Sequence, residues 1–313
     1  MWPNYHFHVP EQKRFRYIVH TDCKNEADDQ FTLAHILMTD KLDVRGIIAG
    51  HFDHENHGRF PEKTTAKASF DEVQKILSLM GLSGKYPVYR GAEEAIPDIK
   101  TPIVTDAARF IVEEAMRDDP RPLFIGMQGA ITDLACAILM EPRICEKMTC
   151  IWIGGADYPE GGEEFNLLND VNAAEVVFAS SMPLWQVPNG AYKQFTVSLA
   201  ELQMKVMPCG EIGRYLFEQM IDLNTALAEL PHWPHGETWC LGDEGVICAL
   251  LEDRERNCGY TMCPAPRIGE DMRYIPDESR RPIRVYHSMD VRMDLEDLFA
   301  KLQINYGNEG LRA

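Results

Sequence analysis

The sequence predicts an α/β protein: a single open, mostly parallel, doubly wound (Rossmann-like) sheet with helices on both faces. Three observations carry this. Short apolar runs of β-type composition recur at 17–19, 44–49, 123–127, 150–153 and 184–187, continuous rather than alternating, as in strands covered on both faces. Segments of helical apolar spacing lie between them, with Phe70, Val73, Ile76 and Leu77 on one face of residues 66–80. The connections are too long for hairpins and suit crossovers between parallel strands. No internal repeat or long linker divides the 313 residues. The expected organisation is one domain over 1–313, with an irregular N-terminal arm at 1–15 and a helical, aromatic lid insertion at 198–240.

Composition narrows the function. A formal charge of −18 argues against nucleic acid or an anionic membrane as partner, since either requires a basic stripe. Small neutral or cationic ligands remain. No apolar run approaches the ~20 residues of a membrane span, and no signal-type segment precedes Tyr17, so the expected location is cytoplasmic. Nine cysteines, several inside apolar segments and without a Cys-x-x-Cys pair, read as reduced thiols.

In chain order, the arm carries His6 and His8, read as surface residues. The strand at 17–19 then delivers Asp22, and after a short bend Asp28 and Asp29 open a segment with helical periodicity. A helix cap explains one or two of these acids. Three acids with Asn25 and Glu26 within eight residues also suit a hard, oxygen-liganded ion, Ca²⁺ or Mg²⁺. The second strand ends at a loop, 50–58, containing His51, Asp53, His54, Glu55, Asn56 and His57. It is expected beside the Asp22 corner, because such sheets bind ligands beyond the carboxyl ends of their strands. It is either an ordinary polar loop or a second metal site.

A helix at 66–80, a short strand at 87–89 and a helix at 103–116 lead to the strand at 123–127 and the corner Gln128-Gly129-Ala130-Ile131-Thr132-Asp133. A glycine there permits a tight turn, so that carbonyls near Thr132 could face a ligand. After the strand at 150–153 comes Glu164-Phe165-Asn166. If that piece is extended, Glu164 and Asn166 share one face and Phe165 takes the other. A helix at 172–179 and a strand at 184–187 follow. The insertion carries a helix at 212–230 and then His232, Trp233, His235 and Trp239, suited either to stacking on a flat ligand or to anchoring a loop. Asp243 heads an apolar helix at 246–251, repeating the arrangement of the opening corner. Strands at 260–262 and 283–286 and a helix at 295–302 close the chain.

Together these corners resemble the nucleoside hydrolase family, the inosine-uridine type of nucleoside N-ribohydrolase. Asp22, Asp28 and Asp29 are similar to the last three acids of its opening Asp-x-Asp-Pro-Gly-x-Asp-Asp. Gly129 to Asp133 resembles its Gly-Pro-Leu-Thr-Asn, and Glu164-Phe165-Asn166 with Asp170 and Ala173-Ala174 resembles its Glu-Phe-Asn and Asp-Pro-Glu-Ala-Ala run. Asp243 resembles the acid of its final His-Asp pair. Five residues separate Asp22 from Asp28 where the family has three, and Gly242 stands where the family has histidine. The longer corner looks like a divergent, nucleoside-hydrolase-like branch, and Gly242 leaves the usual leaving-group acid absent.

The resemblance implies an enzyme that cleaves the N-glycosidic bond of a ribonucleoside, purine somewhat favoured, to ribose and free base. It implies Ca²⁺ held by Asp22, Asp29, the Thr132 carbonyl and Asp243, with Asp22 as the catalytic base. Asp28, Glu164 and Asn166 would bind the sugar, while Phe165 and Trp233 or Trp239 flank the base. With Gly242 in place of histidine, His232, His235 or a water chain would protonate the leaving base. A homodimer or homotetramer is implied by the family alone. The alternative is a non-catalytic, Ca²⁺-dependent ribosyl- or sugar-binding protein on the same fold. Phosphoester hydrolysis by a carboxylate-bound Mg²⁺ would need a phosphate cradle, and neither a Gly-rich loop with lysine nor a basic cluster occurs near the corners.

Overall fold

In the computed structural model of the chain, residues 2, 4–54, 58–230, 233–252 and 259–307 are described. The strands are β1 (Phe15–Thr21), β2 (Leu42–Ala49), β3 (Val88–Arg90), β4 (Leu123–Met127), β5 (Met148–Ile153), β6 (Leu184–Val187), β7 (Thr196–Ser198), β8 (Thr238–Cys240), β9 (Tyr260–Pro264), β10 (Arg267–Ile268), β11 (Tyr274–Ile275) and β12 (Pro282–Tyr286). Among them run the helices α1 (Asp29–Met38), α2 (Thr65–Leu79), α3 (Asp106–Ala115), α4 (Thr132–Met140), α5 (Phe165–Asn169), α6 (Val171–Ala179), α7 (Asn189–Tyr192), α8 (Leu199–Lys205), α9 (Gly210–Ala226), α10 (Gly245–Leu251) and α11 (Val291–Tyr306).

Eight of the described strands form one sheet of order β3-β2-β1-β4-β5-β6-β12-β9. Every pairing in it is parallel except β12 with the edge strand β9. The strand alternation divides the apolar residues between two cores. Tyr17 and Val19 join the core under α1, α2, α9, α10 and α11, and Ile18 joins the one under α3, α4 and α6. The chain runs outward from β1 through β2 to β3, then returns to β4 on the other side of β1. The order therefore reverses between β1 and β4, which places the ligand crevice of an open α/β sheet beyond the carboxyl ends of these two strands.

The arm is irregular apart from a 3₁₀ turn at Glu11–Lys13, but it is docked rather than loose. The Trp2 indole donates to the Leu37 carbonyl at 2.7 Å and the Tyr5 hydroxyl to that of Met38 at 2.8 Å. The insertion is likewise tied down: β7 and β8 pair antiparallel at its two ends, and α9 packs into the first core through Ile212, Leu216 and Met220. No helix among the described residues is long and apolar enough to cross a membrane. The described cysteines are all free thiols.

Candidate functional site

A cavity of about 520 Å³ opens at the predicted crevice, lined by Asp22, Asp28, Asp29, Gln128, Glu164, Phe165, Asn166, Tyr192, Trp233, His235, Trp239 and Asp243 among others. Asp22 follows the last residue of β1. The five residues between Asp22 and Asp28 begin as a tight turn: the Asn25 amide donates to the Asp22 carbonyl at 3.0 Å and Lys24 takes φ +90°. That is the hand of a type II turn, with the positive φ at its third residue. The Asn25 side-chain amide also donates to Asp22 Oδ2 at 3.3 Å. The longer corner thus folds back on itself and orients Asp22.

Asp28 is the N-cap residue of α1 and Asp29 its first residue. Asp28 Oδ2 accepts the Asp243 amide at 3.3 Å, and Asp29 Oδ1 accepts the Thr21 hydroxyl. One carboxylate oxygen from each of Asp28, Asp29 and Asp243 lies within 4.8 Å of the others. Burial, reinforced by neighbouring acids, pushes Asp22 and Asp243 well above the usual carboxylate range. Burial lifts Asp28 to about 6, and burial with the Asp28 charge lifts Asp29 to about 7. Among the described residues, no Lys, Arg or His pairs with these four acids. Such a set holds its protons or takes a cation.

The donor set fits a hard divalent ion. Oxygen is the only ligand atom the acids offer, and Gln128 beside them is buried with no hydrogen-bond partner for its side-chain oxygen or nitrogen among the described residues. The Gln128 carbonyl accepts Asn166 Nδ2 at 3.0 Å. Sequence reasoning had passed over Gln128. Its signal was position, as the first residue beyond the carboxyl end of β4.

Thr132 belongs to the corner after β4. It is the first residue of α4, and its hydroxyl lies between His51 Nε2 at 2.8 Å and Asp170 Oδ2 at 2.7 Å. Of this corner it is Gln128 that lines the cavity with the acids. Asp28, assigned by resemblance to the sugar, sits within ligand range of Asp29 and Asp243.

The piece at 164–166 is not extended. Glu164 caps α5, its Oε2 accepting Gly155 N at 2.7 Å and Leu167 N at 3.0 Å, and its Oε1 accepting the Tyr192 hydroxyl at 2.9 Å. The helical turn brings Glu164, Phe165 and Asn166 to one cavity rather than dividing them between two faces. Asn166 is fixed by donating to the carbonyls of Gln128 and Ile153. Trp233 and Trp239 meet with ring centroids 5.2 Å apart. His235 also lines the cavity, and His232 lies outside the described residues.

The loop after β2 gives no second metal cluster among its described residues. Burial lowers His51 to about 4, leaving a neutral ring on Thr132, and Asp53 accepts the Thr65 hydroxyl and the Lys63 amide at the start of α2. Glu55, Asn56 and His57 are outside the described residues. Tyr192, at the end of the single-turn α7, was also missed. Its hydroxyl reaches Glu164 and its ring fills the space over Gly242, where an added Cβ would lie 2.9 Å from Tyr192 Cδ2.

The sequence pattern of inosine-uridine preferring nucleoside hydrolases matches residues 17–297. The chain belongs to this family. It is 27% identical over 146 residues to the inosine-uridine preferring nucleoside hydrolase of Leishmania major, covering 45% of this chain and 46% of that one. To the pyrimidine-specific ribonucleoside hydrolase RihA of Citrobacter koseri it is 26% identical over 188 residues, covering 52% and 57%. The chain thus spans about half the length of the curated relatives it matches.

Solved structures share the fold over nearly the whole chain. A plant nucleoside hydrolase superposes with TM-score 0.72 at 17% identity, over 92% of this chain and 98% of that one. A purine-preferring ribonucleoside hydrolase from Gardnerella vaginalis does so with TM-score 0.71 at 16% identity, over 95% and 99%.

Proposed function

We propose that this chain hydrolyses the N-glycosidic bond of a ribonucleoside, purine nucleosides favoured, with Ca²⁺ at the aspartate cluster. The observation that carries the reading is one cavity lined both by four buried acids and by flat aromatic side chains. Cleavage develops positive charge on the sugar and negative charge on the departing base, so the sugar end calls for carboxylates and the base end for a stacking surface. A two-ring base would cover more of the partly exposed Phe165 and Trp233 than a one-ring base would.

Asp22, Asp29, the Thr132 carbonyl and Asp243, with Asp28 grouped beside Asp29 and Asp243, are the residues that would hold the cation. When bound, a hard divalent ion supplies positive charge that keeps these acids ionised and makes water more acidic. Asp22, oriented by Asn25, takes the proton of the attacking water as its oxygen bonds to the anomeric carbon. The carbon–nitrogen bond breaks, and the base leaves with a proton from His235 or from water. Asp28 and Asn166 orient the ribose hydroxyls. Glu164, held by Gly155, Leu167 and Tyr192, is a fixed anion facing the same space.

Incubating the protein with inosine, guanosine, adenosine, uridine and cytidine, with Ca²⁺ or with chelator, and quantifying free base tests this. The expected result is Ca²⁺-dependent release of base and ribose, fastest from a purine nucleoside. Faster release from pyrimidine nucleosides would overturn the base preference, and release from none of them would overturn the reaction.

A further inference from the structure

Behind the aspartate cluster a second group of metal-ligating side chains is closed off from solvent. His35 on α1, Glu244 in the 3₁₀ turn Gly242–Glu244 and Asp294 in the first turn of α11 each place one ligand atom within 4.8 Å of the others. All three are fully buried. His35 Nδ1 lies 2.7 Å from Glu244 Oε2, and its Nε2 lies 3.0 Å from Asp297 Oδ2. Lys301 bonds Asp297 and also donates to the Thr39 hydroxyl at 2.8 Å. Neither oxygen of Asp294 has a hydrogen-bond donor among the described residues other than the Glu244 carboxyl beside it.

A carboxylate buried without a partner is among the most costly arrangements in a protein interior. Lys301 answers the charge of Asp297. Glu244 and Asp294 are left facing each other and one imidazole, with no Lys or Arg bonded to either among the described residues. We propose that a divalent transition-metal ion binds between His35 Nδ1, Glu244 and Asp294, with zinc the best match to one nitrogen and two oxygens.

A neutral imidazole, two carboxylates and a doubly charged cation sum to zero. Coordination through Nδ1 leaves Nε2–H to donate to Asp297, the carboxylate contact that commonly orients a metal-bound histidine. Ligand atoms about 2.0–2.2 Å from a zinc ion lie roughly 3–4 Å from one another, so the observed grouping requires small side-chain adjustments only. Thr32, whose hydroxyl is 3.3 Å from Glu244 Oε1, steadies that carboxylate. The site differs in kind from the all-oxygen cluster in the cavity, and it ties α1 and α11 to the turn that presents Asp243. It does not rest on the nucleoside reading.

The test is metal content of the full-length protein. The chain is stripped with chelator, equilibrated with Zn²⁺ and Ca²⁺, desalted and subjected to elemental analysis. The wild type is expected to retain about one zinc ion per chain. Asp29→Asn, in the cavity cluster, should retain it too, and Asp294→Asn should lose it. Titrating the stripped wild type with Co²⁺ should give visible absorption bands of a low-symmetry nitrogen–oxygen site, which vanish on adding Zn²⁺. That measurement needs no variant, so misfolding of Asp294→Asn would leave the proposal exposed to refutation. Zinc below about one tenth per chain in the wild type, or zinc retained undiminished by a folded Asp294→Asn, would overturn it in favour of a shared proton between the two carboxyls.

Discussion

Gly129 stands so close to Asp22 that a Cβ built on it would lie 2.6 Å from the Asp22 carboxyl carbon. The corners after β1 and β4 are neighbours across the switch point, and the missing side chain lets the first carboxylate lie against the second backbone. Gly129→Ala should therefore displace Asp22. Misplacing a reacting group by about 1 Å can cost roughly a hundredfold in rate, whereas overpacking costs about 1–3 kcal/mol of stability. Base-release kinetics should fall by one to two orders of magnitude while the thermal transition stays cooperative. Unchanged kinetics would show that Asp22 tolerates the shift.

The buried acids set a sign for the pH dependence of the cation-free protein. Burial raises Asp28 to about 6 and Asp29 to about 7 in the folded state, above their unfolded values. Between the unfolded and folded values the native state binds more protons than the unfolded chain, so these groups contribute less stability as pH rises from about 4 through about 7. Melting of chelated protein should shift downward across that window. Added Ca²⁺ should restore more at pH 8 than at pH 5.5, because it binds the ionised acids. An equal Ca²⁺ effect at both pH values would argue that the cluster is not its site.

Asp22→Asn separates the enzyme from a binding protein. The amide keeps the shape of the side chain but cannot take the proton from water. Turnover is expected to drop at least a hundredfold, general-base contributions being on the order of 10²–10⁴, with ligand affinity by calorimetry changed much less. If the wild type binds nucleoside without turnover and the variant loses only affinity, the chain is a binder.

Tyr192 occupies the space above Gly242, and burial holds its phenol well above the usual range. It therefore stays protonated as a donor to Glu164. Restoring a histidine at position 242 should fail as a simple gain, because its Cβ meets the tyrosine ring at 2.9 Å. Gly242→His should lower both melting temperature and activity, and a second change, Tyr192→Ala, should relieve the loss of stability. Wild-type melting in the single variant would mean that the ring moves aside freely.

Trp233 is partly exposed over the cavity, whereas Trp239 is buried. Trp233→Ala should raise KM for purine nucleosides by roughly tenfold, from a lost stacking worth about 0.5–1.5 kcal/mol beyond area burial, with little change in melting. Equal KM values in steady-state kinetics would remove Trp233 from the base site.

The acidic corner was legible because its residues are close in sequence: Asp22, Asp28 and Asp29 bracket one strand-to-helix turn, and local pattern suffices to read such a unit. Asp243 was legible for the same reason, as an acid heading an apolar helix. Thr132 was legible as part of a corner, but the partners of its hydroxyl were not. His51 and Asp170, from other elements, claim its hydroxyl, and Gln128 of the same corner lines the cavity. The 164–166 segment alternates in sequence, yet the Glu164 side chain caps a helical turn, and capping outweighed the extended reading.

By itself the sequence determined the doubly wound parallel sheet, the succession of its strands and helices and the acids at the crevice, because hydrophobic period and helix-start chemistry are local properties of a chain. Only the tertiary structure decided that Gln128 lines the cavity, that Tyr192 fills the space above Gly242, and that His35, Glu244 and Asp294 meet in the interior. Each of these joins residues from different elements, and their juxtaposition follows from how the helices pack on the sheet, which no local pattern encodes.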